Sequence, residues 1–159
     1  MNRWFRPLAR NTLMRDLPKG DWAHLIPHDG SMCLLDAVRH FDDHTIHALS
    51  SSHLRMDHPL RGAHGLHAVH LAEYGAQATA VHGALLARSR GIESVRPGRL
   101  VSLREFVLNI ETLDGLADVL DVSAQCLYAD ESGAQYSFHI EHAGALLAGG
   151  RVAVIHPQL

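Results

Sequence analysis

Two cysteines are all that the 159-residue chain contains. Cys33 and Cys126 lie far apart and form no C-x-x-C spacing, so neither a disulfide framework nor a zinc knuckle is indicated, and free thiols in a reducing compartment are expected. Charge of one sign is also scarce. Fourteen Lys and Arg stand against 17 Asp and Glu, a formal net charge of −3, which offers no basic field to nucleic acid or anionic lipid. No window approaches the roughly 18 apolar residues of a membrane span. The basic opening MNRWFRPLARNTLMRDLPKG lacks the apolar core of an export signal. A cytoplasmic protein is expected.

What is plentiful is histidine, with 14 residues spread over every segment. That dispersion argues against one metal cage, and most of them read as surface residues. The length suits one domain over 1–159 and is too short for two ordinary ones. Residues 1–20, broken by Pro7, Pro18 and Gly20, read as a loosely ordered arm. DWAHLIPHDGSMCLLDAV follows as a packed entry plug, with Asp21 as a candidate cap and His28 as a loop residue of that plug, a position near an acyl tunnel being its alternative.

TIHALSSSH, residues 45–53, alternates as a strand does. HPLRGAHG is loop by its proline and glycines. From His67 to about Arg88 the chain has no proline and is rich in Ala and Leu, which predicts one long buried helix ending at Gly91. RLVSLREFVLNIETL, ADVLDVSAQCLYAD, AQYSFHIEH and ALLAGGRVAVI then read as strands, with hairpin turns at DESGA (130–134) and HAGA (142–145). The expected class is α+β: an antiparallel sheet of five or six strands wrapped around one central helix, with an exposed edge that calls for a partner.

The stretch DHPLRGAHGLHAVHLAEYGAQ puts polar groups on that helix. His70, Glu73 and Gln77 fall within about 60° of one another around its axis. A carboxyl group among Ala and Leu costs several kcal/mol if it is ionised and unpaired, so Glu73 is neutralised, paired or functional. The plain alternative is pairing with Arg61, Arg104 or another strand arginine. His58 is placed at the end of the preceding strand, held extended by Pro59. Base, acid and the amide-rich start of a helix together suit removal of a proton next to a carbonyl. His64, His67 and His70 at intervals of three raise metal binding as a minor alternative; because such positions drift around the helix, only adjacent pairs share a face.

IPHDGSMCLLDAV, then HPLRG, then a helix carrying E-Y-G-A-Q, resembles the hot-dog 3-hydroxyacyl-acyl-carrier-protein dehydratases, above all the branch found with aryl-polyene clusters. Ile26, Pro27, His28, Met32, Leu34, Leu35 and Asp36 match the first segment, His58 the catalytic histidine, and Glu73, Ala76 and Gln77 the helix motif. The likeness covers roughly residues 22–156. Better-known members read Pro-Gly-Val where this chain has His67, Ala68 and Val69.

The resemblance implies a hot-dog fold and dehydration of a 3-hydroxyacyl thioester to the trans-2-enoyl thioester. It makes His58 the base and Glu73, kept protonated by its surroundings, the acid. The Ala68 and Val69 amides form the oxyanion site, Gln77 and His70 support it, and no metal or diffusible cofactor takes part. The implied partners are an acyl carrier protein bearing a phosphopantetheine-linked substrate and a second hot-dog subunit, in a homodimer or a heterodimer. Two other readings stay open: a hot-dog thioesterase, whose helix carboxylate activates water, and a non-catalytic subunit of a heterodimeric dehydratase.

Overall fold

A computed structural model describes residues 16–92 and 98–157. The bulk of the expected N-terminal arm and the Pro97 turn lie outside the described residues. The strands are β1 (Leu17–Pro18), β2 (Ala37–Phe41), β3 (Thr45–Ser50), β4 (Arg99–Leu108), β5 (Leu120–Ala129), β6 (Gly133–His142) and β7 (Ala145–Ile155). They form one antiparallel sheet in the order β1-β2-β3-β5-β6-β7-β4. The sheet wraps α1 (Leu71–Ser89) in the hot-dog arrangement, as expected, with one strand more than the upper estimate. The extra one is the two-residue β1, too short to carry any alternation. It pairs with β2, so the last residues of the expected loose arm are held in the sheet.

Alternation places the core. In β3, Ile46, Ala48 and Ser50 turn inward and are buried, and in β5 Leu120, Val122 and Ala124 do the same. α1 meets them with Leu71, Tyr74, Ala78, Val81 and Leu85. The remaining face, made largely of small side chains, is only partly covered. Its end is the predicted one. Gly91, at φ 73°, lets the Ile92 amide reach the Ala87 carbonyl at 2.9 Å and its own amide reach Arg88, the paired bonds of a Schellman cap. At the other end a 3-10 turn, Ala68–His70, precedes the first α-helical residue. His67 caps this turn through its side chain.

Two contacts set how closely helix and sheet approach. Gly75 lies against the ring of Phe138 in β6, where a Cβ would overlap the ring carbons. His82 ties α1 to the sheet through Nδ1 to the Tyr136 hydroxyl at 2.9 Å and Nε2 to the Asp42 carbonyl at 2.8 Å. At the sheet's outer edge, β4 pairs only with β7 and exposes Leu100, Val101, Leu103 and Val107. No helix among the described residues is long and apolar enough to cross a membrane.

The Gly75 contact yields a stability test. Gly75→Ala should cost about 1–3 kcal/mol by forcing the Phe138 ring or the helix aside, read as a lower urea midpoint at unchanged slope. An unchanged midpoint would show that the ring has room to yield.

Candidate active site

Glu73 and Tyr74 are consecutive on α1 and anchor separate polar networks. Glu73 faces outward, next to the entry segment. Gln77, one turn on and fully buried, donates to Glu73 Oε1 at 3.0 Å and to the Met32 carbonyl at 2.7 Å, and accepts from the Leu34 amide at 2.8 Å. The helix is thereby pinned to the plug, and the position of Glu73 is fixed. His28 completes the arrangement from the plug side, with Nε2 3.0 Å from the same Oε1. Its Nδ1 is buried and has no hydrogen-bond partner among the described residues.

Burial raises the Glu73 carboxyl, but the hydrogen bonds from His28 and Gln77 and the charge of His28 lower it by more, so its pKa lies below the ordinary value. Glu73 is therefore ionised at neutral pH, not held protonated as its apolar setting suggested. Neither expected arginine is its partner: Arg61 pairs with Asp114, and Arg104 makes no ion pair among the described residues.

Tyr74 faces inward. Its hydroxyl lies 3.0 Å from His58 Nε2 and 2.7 Å from Ser52 Oγ; Ser52 Oγ is 2.9 Å from Ser50 Oγ, which donates to the Leu34 carbonyl at 2.6 Å. His58 Nδ1 accepts from the Leu60 amide at 3.1 Å. That acceptor role puts the hydrogen of a neutral ring on Nε2, and a continuous donor chain runs from His58 through Tyr74, Ser52 and Ser50 to Leu34. His58 is 3% exposed and burial holds its pKa below the ordinary histidine value. It does not end a strand. β3 stops at Ser50, and a 3-10 turn at Ser52–Leu54 intervenes.

The proposed oxyanion amides are engaged too. The Ala68 amide donates to the Glu111 carbonyl at 2.8 Å and the Val69 amide to His67 Nδ1 at 2.9 Å. Leu113 bonds back to Leu66, so the 111–113 segment is laced to the helix start. Ala68 is fully buried, and only Val69 is near the surface. His70 does not join Glu73: with His64, His67 and Glu111 it lines a smaller cleft of about 520 Å³.

Glu73 and His28 open onto a larger cleft of about 1130 Å³. Its helical wall is made of small side chains, Ala76, Ala80, Gly83, Ala84 and Ala87, and strands β5, β6 and β7 contribute the facing wall. Such a trough takes an extended apolar chain with a carboxylate at one end. Sequence reasoning allowed His28 a place near the acyl tunnel but missed its contact with Glu73, and it missed the Tyr74, Ser52 and Ser50 chain. Only the adjacency of Pro27 and His28 in the matched entry motif pointed toward the former.

Residues 20–159 match the model of the ApeP-like family, described as ApeP dehydratase. Among solved structures, the dehydratase heterocomplex ApeI:P from Xenorhabdus doucetiae is similar at 25% identity with a TM-score of 0.78, covering 91% of this chain and 93% of that one. AziG of S. sahachiroi is 21% identical over 79% of this chain and 92% of that one, TM-score 0.53. A Streptococcus pneumoniae hypothetical thioesterase with coenzyme A is 12% identical over 87% of this chain and 96% of that one, TM-score 0.58. The last two likenesses concern the fold alone. No curated protein matches the chain in sequence.

Two outcomes follow from the inward network. Tyr74→Phe removes the hydroxyl shared by His58 and Ser52 and should cost about 1–3 kcal/mol in urea unfolding; a neutral effect would mean the chain of donors is not closed. His53, His58 and His82 all have pKa values lowered by burial. The unfolded chain therefore binds more protons below about pH 6.5, and the stability these groups contribute is full above that value and lost as pH falls through their folded values. The urea midpoint should be lower at pH 5.5 than at pH 7.5, and equal midpoints would contradict it.

Proposed function

Because the chain belongs to the ApeP-like dehydratase family, we propose that it removes water from a 3-hydroxyacyl thioester carried on an acyl carrier protein, leaving the trans-2-enoyl thioester. The observation that carries this reading is the Glu73 carboxylate, clamped at Oε1 by His28 and Gln77 and set at the end of an apolar trough. Oε2 takes the C2 proton, the C2–H electrons form the double bond, and the C3–O bond breaks. The same proton then passes to the departing hydroxyl, so water leaves and the carboxylate is restored. The acyl chain lies along Ala76, Ala80 and Gly83.

The expected division of labour, with His58 as base and Glu73 as protonated acid, requires two changes. The His58 ring has to free one nitrogen, Nδ1 from the Leu60 amide or Nε2 from Tyr74, and Glu73 has to gain a proton. The engaged state of His58 supports a role in shaping the 50–60 segment instead. In the same proposal the Val69 amide receives the thioester oxygen once His67 swings away from it, and the Ala68 amide stays with Glu111. A second hot-dog subunit joins at the β4 edge, as a like or an unlike chain; the similar ApeI:P protein is a heterocomplex.

A specific observation favours a second reading, thioester hydrolysis: an ionised helix carboxylate is also what activates a water molecule. The two readings separate by mass. Purified chain, alone and mixed with a second hot-dog subunit, is offered a 3-hydroxyacyl thioester on a carrier protein. Loss of one water supports dehydration, and release of free acid supports hydrolysis. Glu73→Gln should lower water loss about 100-fold or more, whereas His58→Gln, which keeps an N–H for Tyr74, should lower it far less. The opposite ranking would overturn the assignment of Glu73 as proton carrier.

A further inference from the structure

We propose that His28 is a positioning residue of the reaction: together with Gln77 it occupies Oε1 of Glu73 and so leaves Oε2 as the one oxygen offered to substrate. The inference rests on the dehydratase reading for its kinetic half and on geometry for the rest. Two N–H groups reach a single carboxylate oxygen at 3.0 Å each, one from the helix and one from the plug. Gln77 is itself saturated by Met32 and Leu34, so it cannot follow a moving carboxylate. His28 is the other half of a two-sided clamp. With Glu73 ionised, Nε2 carries the hydrogen between them, and the buried Nδ1 has no other task in the described chain.

The other titratable groups of the cleft wall approach from elsewhere. They are His24 beside the clamp, Asp43 and His44 in the β2–β3 turn, Arg90 at the helix end, Cys126, Tyr128, Asp130 and Glu131 at the end of β5, Tyr136 in β6 and His156 after β7. None of them hydrogen-bonds or ion-pairs with Glu73, so among the described residues His28 is the titratable side chain in contact with the carboxylate. Removing His28 leaves burial opposed by Gln77 alone and should raise the pKa of Glu73.

The test pairs a kinetic with a spectroscopic readout. The kinetic arm follows water loss from a 3-hydroxyacyl N-acetylcysteamine thioester across pH 4–9. The spectroscopic arm titrates the protonated-carboxyl infrared band assigned to Glu73 by its absence in Glu73→Gln. His28→Ala should shift both the acid limb of kcat and the infrared transition upward by about one pH unit, with KM little changed. His28→Gln, which returns an N–H to Oε1, should bring both back. If both variants leave the infrared transition where it stands, His28 does not hold Glu73 and the proposal fails. If the infrared transition moves as expected but the wild-type chain, alone or with a second subunit, loses no water from the substrate, the clamp stands and the dehydratase reading is what fails.

Discussion

The structure of the site depends on one buried amide. Gln77 is completely enclosed, and its three hydrogen bonds join the central helix to the entry plug at Met32 and Leu34 while fixing Glu73. Each bond contributes only about 1 kcal/mol net, but leaving any of these buried partners unpaired costs more. An apolar residue at this position would cut the helix from the plug and free the carboxylate at once. The same residue thus serves packing and orientation, and for that reason a polar group sits where the helix otherwise carries Ala and Leu.

Much of the fold was legible in the residues. β3 and the first half of β5 alternate cleanly, β7 runs over the residues expected for it, and the helix end at Gly91 was marked by its one permissive residue. β1 was not legible, since two residues carry no period. Glu73 and Gln77 were visible as polar residues on a buried helix. The ionisation of Glu73 was not, because its partner His28 lies far away in sequence and nothing local indicates that the plug folds back over the first turn. The partners of the amides at the helix start were not legible for a similar reason. Free amides there are the rule for an isolated helix, whereas here the 111–113 segment and the His67 ring have already taken those of Ala68 and Val69.

Histidine abundance resolves into distinct physical uses. His82 and His53 are core residues tied to backbone carbonyls, at Asp42 and Leu116. His58 heads an internal donor chain, His67 caps a turn, and His28 touches the helix carboxylate of the cleft. Counting the residue type said nothing about these roles, because what separates them is which of the two ring nitrogens has a partner. The β4 edge is a different kind of residue pattern: its exposed Leu100, Val101, Leu103 and Val107 leave apolar surface beside unpaired backbone groups, a combination that sheet edges in water generally have covered.

Glu73 and Tyr74 are neighbours in the chain but point about 100° apart around α1, one toward the trough and the other toward His58. A helical turn is stiff, so any load that rotates the carboxylate about the helix axis turns the phenol with it, like two spokes on one hub. Gly75 beside them rests on Phe138 and supplies the bearing surface. The trough wall and the buried chain of hydroxyls therefore share a single rigid support, the first turns of one helix.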